Sequence, residues 1–73
     1  MNVLLFGSIA EKAGAALLQV EATSLSSLRV ELITRIPGLE HMRYAIAVDR
    51  KVMIGERPLT GSEEIAVLPP FAG

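Results

Sequence analysis

The residues best placed to do chemistry stand together at one end of the sequence, in the run Leu68-Pro69-Pro70-Phe71-Ala72-Gly73. Two prolines favour an extended, polyproline-like path, and a stiff segment loses less entropy than a floppy one on entering a partner. Phe71 is a candidate anchor, since aromatic side chains are frequent binding hot spots. Ala72 and Gly73 have minimal side chains. A glycine carboxylate can enter a narrow channel and react there without a Cβ in the way. The competing reading is a frayed terminus with no role. The other constellations are thin. His41 is the sole histidine, and in a loop after a helix it reads as a surface residue; no Ser–His–acid set can be assembled around it. Glu63-Glu64 is the one adjacent acidic pair, and successive side chains on a strand point apart. Gly7-Ser8 after a strand is neither a phosphate loop nor a dinucleotide motif. Met42 and Met53 read as packing residues. No metal site is indicated.

The 73-residue chain contains no cysteine. This excludes a disulfide-stapled scaffold, a Cys-based zinc site and a thiol nucleophile, so any sulfur the protein handles must be brought to it. The net charge is −1, with acids and bases interleaved, which argues against nucleic acid as a partner. The opening Met1-Asn2-Val3-Leu4-Leu5-Phe6 has neither a basic flank nor a long apolar stretch. No signal peptide or membrane span is expected, and the expected compartment is the cytoplasm. Apolar residues make up 51% of the chain, enough to fill one small core and to leave apolar surface for a partner.

The elements that must carry the terminal run can be read from periodicity. Val3 to Phe6 is a short apolar run, and Ala16 to Val20 is another. The Gly7 to Gly14 segment between them reads as a connection, giving an antiparallel hairpin. Thr23 or Ser24 can cap a helix from about Ser24 to Arg35, without the glutamate that would complete a capping box. Leu25, Leu28, Leu32 and Ile36 form its apolar face, and Pro37-Gly38 ends it. Tyr44 to Val48 and Val52 to Ile54 are further strands, separated by a polar Asp49-Arg50-Lys51 turn. Ile65 to Leu68 is a last strand, its unbroken apolar character suggesting burial on both faces, and Pro69-Pro70 ends the sheet. A mixed four- to five-stranded α+β sheet with one main helix packed on one face follows, the first and last strands lying side by side and parallel. That is a β-grasp, with a split βαβ sheet as the alternative. Residues 1–68 form the domain and 69–73 an extended functional tail.

Three segments carry a resemblance to a known family. They are Val3-Leu4-Leu5-Phe6-Gly7 running on to Glu11 and Gly14, the helix start Leu25-Ser26-Ser27-Leu28-Arg29, and the closing stretch from Pro58-Leu59 through Gly61-Ser62-Glu63-Glu64-Ile65-Ala66-Val67-Leu68 to Pro69-Pro70. Over essentially its whole length the chain resembles the small subunit of molybdopterin synthase, within the ubiquitin-like sulfur carriers that include the thiamine-pathway carrier. The double proline favours the molybdopterin branch. The resemblance implies a subunit that is not itself an enzyme and binds no cofactor. An adenylating partner would use ATP to activate the Gly73 carboxylate, and a sulfur donor would convert it to a thiocarboxylate. The tail Pro69, Pro70, Phe71, Ala72 and Gly73 would enter the large synthase subunit, where the sulfur passes to a pterin precursor. Phe6 and Phe71 are the expected interface residues, with core packing as the competing role for Phe6. Three departures stand out. The family usually ends Pro-Pro-x-x-Gly-Gly: read from the prolines, Gly73 matches the first glycine and the last is missing, and read from the end, Ala72 replaces the penultimate glycine. Ala10 replaces a frequent arginine. The turn before the last strand reads Gly61-Ser62-Glu63-Glu64. A non-covalent docking module and a carrier for another pathway are the alternative functions.

Overall fold

A computed structural model describes residues 1–70. The elements run β1 (Asn2–Leu5), α1 (Gly7–Ala13), β2 (Leu17–Gln19), α2 (Leu25–Arg35), a 3-10 turn (Leu39–His41), β3 (Ala45–Val48), β4 (Lys51–Val52) and β5 (Ile65–Leu68). The five strands lie in the order β2-β1-β5-β3-β4. β1 and β5 run parallel at the centre, and β2 and β3 flank them antiparallel. A parallel central pair with α2 crossing over one face is the β-grasp order, which sets aside the split βαβ alternative.

One face of the sheet carries the core. Val3 and Leu5 of β1, Ile46 and Val48 of β3, and Ile65 and Val67 of β5 are buried there against Leu25, Leu28, Leu32 and Ile36. The three- and four-residue spacing therefore identified the buried stripe of α2 correctly. The cap of α2 is more complete than the sequence suggested. Ser24 accepts from the Ser27 N–H at 3.2 Å, and the Ser27 hydroxyl accepts from the Ser24 N–H at 3.1 Å, so serine closes the capping box in place of glutamate. Glu56, from the long loop before β5, adds a third contact. It accepts from both the hydroxyl and the N–H of Ser26. These bonds, the hydroxyl's first, hold its carboxyl below the usual range. A carboxylate there also meets the positive end of the helix dipole.

Three expectations need correction. The Gly7 to Gly14 connection is a helix: α1 buries Ile9 and closes on Gly14, whose left-handed φ of 71° lets its N–H reach the Ala10 and Glu11 carbonyls. With seven residues and a single large apolar side chain, α1 is too short to show a helical period. β5 is buried on one face only, since Ile65 and Val67 point to the core while Ala66 and Leu68 are half-buried on the other side. The fourth strand is Lys51–Val52, not Val52 to Ile54, and Ile54 is 96% exposed.

The β3–β4 hairpin turns on Asp49 and Arg50, with φ of 51° and 71°, between the paired Val48 and Lys51. Two successive positive φ values make a type I′ turn, which favours glycine at its second position. Arg50 offsets part of the strain through an exposed ion pair with Glu64 at 3.4 Å, and such pairs contribute little. Arg50→Gly should therefore stabilise the fold by up to about 1 kcal/mol, seen as a higher midpoint in urea denaturation. An unchanged or lower midpoint would show that the arginine is not strained.

Candidate functional site

The sheet gathers its apolar resources around the exit of β5. Because β1 and β5 are parallel, with Leu5 opposite Val67, both leave the sheet at the same end. The Phe6 N–H donates to the Val67 carbonyl at 3.2 Å, so Phe6-Gly7 runs alongside Leu68-Pro69. On the other side Ala45 pairs with Leu68, which brings the half-buried Tyr44 level with Pro69. Pro69 is half-buried between these segments and Pro70 is exposed. Sequence reasoning left Tyr44 as an ordinary strand residue; its partnership with the tail root depends on antiparallel register and has no local signature.

Phe6 does not pack in the core. It is 45% exposed and caps α1 in extended geometry. The alternation that turns Val3 and Leu5 inward ends where the chain bends into α1, and this leaves the ring at the surface beside the tail root. Among the expected site residues, Phe6, Pro69 and Pro70 thus lie together. Phe71, Ala72 and Gly73 lie outside the described residues.

The helix-free face of the sheet is the second component. The strand register places Leu17 opposite Leu4, Leu4 opposite Ala66, Ala66 opposite Ala47 and Ala47 opposite Val52. Side chains in register share a face, so these residues form an uncharged row across the whole sheet. Its rim residues Leu17 and Val52 are 47% and 53% exposed. Its centre is floored by alanines. The next row, Ala45 and Leu68, leads to Pro69. Ala47, at 6% exposure, is the most buried member of the first row.

His41 is exposed and lies 3.5 Å from Glu40, as expected of a surface histidine. Among the described residues no cluster of three metal-ligating side chains forms. Glu63 and Glu64 point apart, at the opposite end of β5 from the tail. Glu64 meets Arg50, whereas the Glu63 carboxylate closes its own turn by accepting from the Thr60 N–H at 2.8 Å, the Gly61 N–H at 3.0 Å and the Thr60 hydroxyl at 3.1 Å. These bonds, the Thr60 N–H first, lower its pKa from 4.5 to about 2. A depressed carboxylate pKa contributes stability that is full above the unfolded value and fades as pH falls toward the folded one. The advantage of the native chain over Glu63→Gln should accordingly be constant above pH 4.5 and shrink as the pH drops toward about 2. Urea midpoints of both proteins across that range check it, and a pH-independent difference would contradict it.

Comparison with known proteins adds three findings. The profile of the ThiS family matches residues 3–73. SAMP1 from Haloferax volcanii superposes with a TM-score of 0.83 at 19% identity, covering 99% of this chain and 96% of that one, a likeness of fold. A chain in the complex of subunits 1 and 2 of molybdopterin-converting factor from Helicobacter pylori 26695 superposes with a TM-score of 0.73 at 27% identity, covering 99% of this chain and 95% of that one. No curated protein matches the chain. No helix among the described residues is long and apolar enough to cross a membrane.

Proposed function

The chain belongs to the ThiS family of ubiquitin-like sulfur carriers, and from that premise we propose that it carries sulfur on Gly73 for the assembly of molybdopterin. The observation that carries this reading is the family match through residue 73, joined to a tail root that leaves the sheet as Pro69-Pro70. The pathway rests on that double proline and on the likeness to molybdopterin-converting factor. A carboxylate is a poor electrophile until it gains a leaving group. An adenylating enzyme supplies one: the Gly73 carboxylate attacks the α-phosphate of ATP and pyrophosphate leaves. A sulfide-level donor then displaces AMP and leaves a thiocarboxylate, which a large synthase subunit receives and spends on a pterin precursor. The chain contributes the reacting terminus and the docking surface, and the catalytic groups belong to its partners.

The docking surface in this reading is the alanine-floored face with Phe6, and Phe71 enters the partner with the tail. Both partners must reach the same terminus, so both need the end of the sheet from which it departs. The test is the intact mass of the full chain after incubation with its adenylating enzyme, ATP and a sulfur donor. One oxygen exchanged for sulfur is the expected result, and an unchanged mass with an enzyme active on its own carrier would overturn it. A second reading, a non-covalent docking module, draws on the missing second glycine of the family's usual ending. A carrier for thiamine synthesis would show the same mass change but no transfer to a pterin precursor.

A further inference from the structure

Gly7 is required by two features at once. Its φ is +56°, and a Cβ there would lie 3.1 Å from Pro69 Cγ and 3.7 Å from Pro69 Cδ. Gly14, at the other end of α1, has a φ of +71° but nothing within 4 Å of its would-be Cβ. Gly14 therefore answers a backbone need alone, whereas Gly7 also admits the first residue of the tail. The two segments are tied just before this contact, where the Phe6 N–H reaches the Val67 carbonyl. Pro69 has no N–H to extend the ladder. At this point the packing of the proline ring on the bare Gly7 Cα replaces hydrogen bonding between the two segments.

We propose that Gly7 and Pro69 form an abutment that sets the direction in which the tail leaves the sheet, making Gly7 a positioning residue for sulfur loading. The proposal rests on the carrier reading of Gly73. A Cβ at 3.1 Å forces its neighbour to give by a few tenths of an ångström. The Pro69 ring is closed onto its own backbone nitrogen, so that displacement is passed to the root of the tail. A misplacement of about 1 Å at a reacting group can already lower a rate on the order of 100-fold.

The test compares four full-length chains: native, Gly7→Ala, Gly14→Ala and Pro69→Ala. Each is incubated with the adenylating enzyme, ATP and sulfur donor, and the initial rate of thiocarboxylate formation is measured against carrier concentration. Gly7→Ala should lower kcat at least about tenfold while KM, set by docking, stays within about twofold. Gly14→Ala carries the same kind of backbone strain without the contact, and it should leave both constants near native. Pro69→Ala removes the ring from the abutment without straining Gly7, and it should lower kcat severalfold even if Gly7→Ala does not fold. Native kcat in Gly7→Ala or Pro69→Ala overturns the abutment, and so does an equal loss in Gly14→Ala. A native chain that takes no sulfur overturns the carrier reading, and the abutment with it.

Discussion

Deleting Gly73 should lower thiocarboxylate formation more than about 100-fold and leave partner affinity within about twofold. The deletion removes the residue proposed to react. The new terminus, Ala72, falls about 3.5 Å short and brings a Cβ into the channel. Partner affinity survives because the apolar row and Phe6 all lie within residues 1–70. Intact mass reads the first quantity and titration calorimetry the second. The same pair of measurements separates the two functional readings, because a docking module is indifferent to Gly73 in both. Loading of the shortened chain at the native rate would sink the assignment of Gly73. Ala72→Gly completes the comparison: if Cβ hindrance limits this unusual ending, restoring the family's glycine should raise the loading rate.

What the sequence made legible was whatever repeats with a period or ends on a proline. Leu25, Leu28, Leu32 and Ile36 announced their buried face because a helix returns a side chain to one side every three to four residues. Pro69-Pro70 announced the end of β5 because proline cannot donate to a ladder. The features that failed to show are those fixed by distant neighbours. α1 is too short for its period to register. Ser27 completes the cap of α2 in a role more often filled by glutamate, and Glu56 reaches the same helix from a loop 30 residues on. Ala66 and Leu68 looked like core because an unbroken apolar run resembles a strand buried on both sides. The structure covers one face of β5 with helices and leaves the other open. The competing core role for Phe6 arose for the same reason, since Phe6 is the last member of an apolar run whose first members are buried, yet it is 45% exposed. The candidate site was thus half legible: the tail in sequence, its surroundings only after pairing register had brought Phe6, Gly7 and Tyr44 to it.

That open face yields the second large effect. Ala66 sits at the middle of the five-strand row, between Leu4 and Ala47, and the middle of an interface is where binding energy concentrates. Ala66→Arg adds both bulk and a charge to a flat apolar floor. Desolvating that charge without a partner group should weaken partner binding on the order of 100-fold. The fold should tolerate the change at a cost within about 1 kcal/mol, because the side chain points away from the core and its stem can lie along the apolar row. Val30→Arg is the matched control: Val30 is 64% exposed on α2, across the sheet from the row, and its substitution should leave binding unchanged. Native affinity in Ala66→Arg would remove this face from the docking surface. The kinetic signature also differs from that of the tail. Ala66→Arg should raise KM for loading while kcat at saturation holds, whereas deleting Gly73 should abolish kcat while affinity holds. A chain that docks through one surface and reacts through another must separate in this way, and a joint loss of both constants in either variant would show that tail and sheet face act as one site.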